Sequence, residues 1–124
     1  MKAFLATAGT ALALDGIWLT LRNSYHQSLF KSIQHSPLQA RIIPAILIYI
    51  LIPVAIYVGA VEPSTSVQES MKQGALIGFF LYAFYDLTNY ATFTNWTLQM
   101  TITDILWGTF LCTIAAGIGA YVKK

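Results

Sequence analysis

Four runs of roughly twenty apolar residues, separated by short polar breaks, constrain this chain more than any other feature. They cover residues 3–21, 42–61, 74–93 and 102–122. An α-helix needs about 20 such residues to cross a hydrocarbon core. In lipid the backbone must satisfy its own hydrogen bonds, which selects helices. A β-barrel would need shorter segments of alternating polarity, and the sequence has none. Composition agrees, since 56% of the 124 residues are hydrophobic and 10% charged, against about 25% charged in a soluble domain. The expected fold is all-α: one domain over residues 1–124, an integral membrane four-helix bundle.

The start, Met1-Lys2 before an apolar run, has the outline of a signal peptide. Asp15 and Trp18 interrupt the run where an apolar core and small cleavage-site residues belong, so a retained first helix is expected. In the second span Pro44 falls near the start, where its missing N–H costs little, and Pro53 is interior and predicts a kink. Between the first two spans, Tyr25, Leu29, Phe30 and Ile33 recur at helical spacing with Arg22, Gln27, Lys31 and Gln34 between them. That pattern predicts a short amphipathic helix lying in the interface and ended by Pro37. The connection Glu62-Pro63-Ser64-Thr65-Ser66 is a polar turn. The one around Thr94-Asn95-Trp96 is so short that the third and fourth spans must be antiparallel neighbours. Trp96, Tyr25 and Tyr121 fit interfacial belts. Lys2, Lys72, Lys123 and Lys124 fall on one side, and Arg22, Lys31 and Arg41 on the other. This places both termini in the cytoplasm of a multi-pass plasma (inner) membrane protein. The net charge of +2 is scattered without a basic aromatic patch, so no nucleic-acid partner is expected. Cys112 stands alone inside an apolar run and reads as a packing residue, and no zinc-like spacing exists.

Three aspartates interrupt the spans: Asp15 late in the first, Asp86 late in the third and Asp104 early in the fourth. Span direction puts all three at one depth, on the order of 10 Å below the side holding residues 22–41. Each shares its face with small residues at four-residue steps: Ala11, Thr7 and Ala3; Gly78 and Gly74; Gly108, Cys112, Ala116 and Ala120. Only Tyr82 breaks the pattern. Such stripes mark close helix approach, so the carboxylates should point into the bundle, with the stripe-less second span as its lipid-facing wall. Asp-x-x-Trp occurs twice, as Asp15–Trp18 and Asp104–Trp107, and each Trp flanks its Asp. Between them Asp86, Asn89 and Tyr90 share one face, with Tyr85 and Thr92 near it. His26 either folds over the cluster as a relay or stays solvated, and His35 is a loop residue. Arg22 either pairs with Asp15 or snorkels to headgroups. Intramembrane charges cost about 2.5–3.5 kcal/mol on insertion scales. Three carboxylates together therefore hold protons or surround something cationic. The competing reading is that they join helices through hydrogen bonds to Asn, Trp and Tyr.

Asp15 to Leu19, Tyr-Asp-x-Thr-Asn-x-Ala-Thr at residues 85–92, Trp96, and Asp-x-x-Trp-Gly at 104–108 together resemble the family called domain of unknown function 2177. The resemblance covers essentially the whole chain without departure at the motif positions. It implies a four-helix, mostly bacterial membrane protein and supplies no activity.

Three functions fit these residues. The first is an intramembrane site that binds or moves a cation, proton or small polar ligand. It is formed by Asp15, Trp18, Asp86, Asn89, Thr92, Asp104 and Trp107, with His26 and Arg22 as gate or relay. The second is a membrane-embedded enzyme on a lipid or other hydrophobic substrate, one carboxyl acting as acid and another as base. Three carboxylates also offer oxygens to a hard divalent cation, but their spacing is loose, and no metal or cofactor is assigned. The third is a structural subunit of a homo-oligomer or larger membrane assembly.

Overall fold

A computed structural model describes residues 1–36, 38 and 41–123, and these are helical apart from short connections. The order is α1 (Lys2–Leu21), α2 (Asn23–Gln34), α3 (Ile42–Ile56) continued by a π-helical turn (Tyr57–Val61), α4 (Val67–Thr92) and α5 (Leu98–Lys123). The expected stop at Pro37 and the charge of Lys124 lie outside the described residues. Three stretches, Lys2–Leu21, Ile42–Val61 and Leu98–Lys123, are long and apolar enough to cross a membrane. α4 is as long as α5, but it carries Glu69, Lys72 and Gln73 in its first two turns and Asp86 and Asn89 in its last two.

The third and fourth helices begin earlier than their apolar runs, because capping decides where a helix starts. Ser66 Oγ accepts the Glu69 N–H, while Glu69 Oε2 accepts from Thr65 N–H and Oγ1–H. This is a variant of the Ser-x-x-Glu capping box. Thr97 Oγ1 accepts the Met100 N–H and starts α5 in the same way. α3 runs through Pro53, and its irregularity comes one turn later. There the Glu62 N–H donates to Tyr57 O, five residues back, at 2.8 Å. The widened turn buries Ala60 and Val61 completely. The Lys123 Nζ donates to the carbonyls of Val61, Glu62 and Ser64, joining the end of α5 to this turn.

The small-residue stripes are where helices touch. A Cβ on Gly74 would meet Cys112 O and Ala116 Cβ. One on Gly78 would meet Gly108 O and Cys112 Cβ, and one on Gly108 would fall inside the Tyr82 ring. These pairs fix an antiparallel register in which position numbers on α4 and α5 sum to about 190. On the other side of α5, Gly119 faces Thr7, and Trp18 stacks on Trp107. α1 is therefore also antiparallel, with sums near 126. α3 buries little beyond Pro53 and Ile56, and Ile43, Ile46, Leu47, Ile50 and Leu51 are exposed. An apolar exterior of this kind suits lipid rather than water.

α2 does not lie free in an interface. Its Leu29, with Phe30, Ile33 and Tyr25, packs on Trp96 and Met100. The Tyr25 hydroxyl meets Thr97 Oγ1 at 2.6 Å, and Asn95 Nδ2 donates to Ser32 O at 2.8 Å. The apolar face read from spacing covers the α4–α5 connection, so α2 is a lid on one end of the bundle. Trp96, expected in an interfacial belt, is instead buried, edge-on to Phe30 and Tyr85. Tyr121 is exposed.

Candidate functional site

The α4–α5 register carries the small-residue stripe directly into the carboxylates. Continuing from Gly78 opposite Cys112 and Tyr82 opposite Gly108, the next step is Asp86 opposite Asp104. The two carboxyls do face each other. Asp86 is 0% exposed and Asp104 9%. No N–H or hydroxyl donor reaches either Asp86 oxygen, and the one group placed to bond it is the Asp104 carboxyl, which can do so only when one of the pair holds a proton. Leaving a buried polar group unpaired costs about 1–3 kcal/mol, and more if it is charged, so this position is expensive as it stands.

Asp15 does not lie at their level, contrary to the expectation of one depth. Trp18 opposite Trp107 and Thr7 opposite Gly119 place Asp15 level with about Leu111. That is six or seven residues deeper along α5 than Asp104, or about 10 Å at 1.5 Å per residue. The physical reason is the lid. α1 ends at Leu21, level with Asp104, whereas α5 continues to Leu98, and α2 fills the step over Met100. Counting from helix ends gives equal depths only if the ends are level, and they are not.

Asp15 has Tyr49 and Trp107 as immediate polar neighbours, with Asp104 and His26 in electrostatic reach. Beside it a crevice of about 10 Å³ is lined by Asp15, Tyr49, Tyr82, Pro53, Leu111 and their neighbours. Sequence reading missed both tyrosines as site residues. Tyr82 showed only as a break in the small-residue stripe. Tyr49 stands among the Ile, Leu and Val residues of the charge-free second span, where a phenol hydroxyl facing an apolar surround needs a partner.

The two Asp-x-x-Trp motifs meet through their indoles. Trp18 and Trp107 stack at 4.6 Å with an 8° interplanar angle, and both Nε1–H groups are buried, that of Trp107 beside Asp15 and that of Trp18 without a partner. Arg22 does not pair with Asp15. Its guanidinium lies 5.2 Å from the Trp18 centroid and 4.5 Å from that of Tyr25, and Nε and Nη2 lack hydrogen-bond partners. Such cation–π contacts contribute about 0.5–2 kcal/mol each and pin the α1–α2 corner. Asn89 is half-buried beside Tyr85. Thr92 is exposed, its hydroxyl donating to Thr88 O, so the structure does not bring it to the carboxylates.

His26 is buried rather than solvated, facing Asp104 and Asp15 from above with Nε2 unpartnered. Burial pushes its imidazole below the ordinary 6.5. Asp104 and Asp15 pull it up, and Arg22 pushes it further down. A histidine lowered in the docked lid favours docking when neutral. Lid stability is then complete above about pH 6.5 and falls as the pH drops below it. Amide exchange over residues 23–34, corrected for intrinsic rate, should accelerate between about pH 7 and about pH 5. His26→Gln should flatten that dependence. Protection that rises on acidification would contradict the docked neutral form.

These features define a class of protein: a bundle of apolar helices with a buried carboxylate, aromatic and histidine cluster beneath a helical lid. The chain belongs to the family described as predicted membrane protein DUF2177, whose pattern matches residues 1–121. No curated protein and no solved structure matches it. Among the described residues, no three His, Cys, Asp or Glu side chains come together in a way that could hold a metal ion.

Proposed function

We propose that this chain crosses the membrane four times and uses Asp86 with Asp104, supported by Asp15, His26, Asn89 and the stacked Trp18 and Trp107, to bind a proton or small cation within the bilayer. The observation that carries this reading is the Asp86 carboxyl, fully buried with no donor at either oxygen and only the Asp104 carboxyl facing it. A residue retained only to join helices would be hydrogen-bonded, because a half-satisfied polar group is worse than an apolar one. A ligand or proton supplies what is missing. α4 makes the fourth crossing because its glycines touch the α5 backbone. If α5 spans, a helix packed this closely along it spans with it. The end carrying Lys2 and Lys123 faces the cytoplasm, and the lid faces the other side.

The test is potentiometric titration of the purified full chain in lipid nanodiscs, repeated in sodium, potassium and magnesium salts. Wild type should take up protons, or exchange them for cation, in a step that Asp86→Asn and Asp104→Asn each remove. Helix content should stay unchanged. Identical titrations for wild type and both variants would end this reading.

A further inference from the structure

Resting on the carboxylate-site reading, we propose that the species held is a proton and that its inner station is a single water between Asp15, Tyr49 and Tyr82, one tier below Asp86 and Asp104. The crevice beside Asp15 measures about 10 Å³, close to the lower limit of about 10–15 Å³ for one water. A buried water also needs two to four polar partners. One carboxylate and two phenols provide acceptor and donor capacity for one. A hard cation such as magnesium or calcium takes six or more oxygens, and this lining falls well short.

The placement of Tyr82 is built into the fold. Its ring occupies the space a Cβ on Gly108 would need, so that glycine is the condition for Tyr82 to lie flat against α5 and face Asp15. Tyr82 has Asp15, Asp104 and Tyr49 around it, which makes it the group lying between the two tiers.

Among the described residues the polar ladder opens at one end. The buried side-chain atoms without a hydrogen bond of ordinary geometry belong, among these described residues, to Trp18, Arg22, His26, Asp86, Trp96 and Trp107. All of these lie at or above the level of Asp15, toward the lid. Below Asp15 the buried hydroxyls are satisfied locally: Thr7 donates to Ala3 O and Ser70 to Ala116 O. Around them Ala115, Ala116, Gly119 and Ala120 close the packing. Protons therefore enter and leave past His26, and the ladder is a proton store or relay with a blind inner end rather than a through-channel.

Infrared difference spectra of the full chain in nanodiscs, between neutral and acidic pH, test this in H₂¹⁶O and H₂¹⁸O. Wild type should show an O–H stretching band of a single strongly bonded water that shifts with ¹⁸O. Asp15→Asn and Tyr82→Phe should each lose that band. Absence of the band in wild type, or its survival in both variants, would overturn the inference. The titration in different salts separates it from its parent. Displacement of protons by sodium, potassium or magnesium would make the ligand a metal cation and refute the proton assignment while leaving the carboxylate site standing. Curves identical in every salt, yet altered by Asp86→Asn, are the expected result.

Discussion

Gly78→Ala should destabilise the bundle by about 2 kcal/mol, the middle of the range for overpacking a close-packed core. Helix propensity alone predicts the opposite sign, since alanine is favoured over glycine by about 1 kcal/mol in a helix interior. The contact decides. A Cβ there would lie 2.5 Å from the Gly108 carbonyl oxygen and 3.0 Å from the Thr109 Cα. Those are backbone atoms with no rotamer to yield, so α4 and α5 must move apart along the register that sets Asp86 against Asp104. Gly9→Ala is the control, because nothing lies within 4 Å of its added Cβ. It should be neutral or slightly stabilising. Reversible unfolding in mixed micelles, followed by helix content, measures both. A Gly78→Ala protein as stable as Gly9→Ala would show that α4 and α5 do not pack this closely.

Asp86→Val is the second large effect, and its sign separates the functional reading from the structural one. If Asp86 merely joins helices, its replacement loses hydrogen bonds and the bundle weakens. Its carboxyl has no such bond to an N–H or hydroxyl, and none at all unless it shares a proton with Asp104. Replacing it by an apolar side chain should therefore raise stability by about 1–3 kcal/mol, the desolvation cost of an unsatisfied buried group, while proton uptake is lost. Stability gained as function is removed is the mark of a residue held against the interest of the fold. A loss of stability in the same unfolding measurement would restore the helix-joining role.

How much of this was legible beforehand varies residue by residue. The stripe of Gly74, Gly78, Gly108, Cys112 and Ala116 could be read as a contact face because four-residue steps return to one side of a helix whatever surrounds it. Asp86 and Asp104 extend that stripe, so their meeting followed from it. The helix starts at Val67 and Leu98 lie outside the apolar runs, because hydrogen bonding to the first turn sets where a helix begins and hydropathy does not. The capping signals at Ser66 with Glu69 and at Thr97 were in plain view. Thr92 was grouped with Asp86 by loose periodicity, yet it lies six residues on and faces out. Arg22 and His26 had two readings each. Only the position of the lid chose the aromatic faces for Arg22 and burial over the carboxylates for His26.

What the sequence by itself determined is what depends on local spacing and on solvent: helices, their apolar exterior, their small-residue contact faces, and three carboxyls set among apolar residues. Relative heights, and what lies between the helices, were decided by tertiary structure. The π turn after Pro53, the step between the ends of α1 and α5, and the tyrosines that α3 and α4 bring to Asp15 arise from how separate helices settle against one another. No periodicity within a single helix encodes how far its neighbour slides along it. That slide turned three aspartates expected at one depth into two tiers joined by Tyr82.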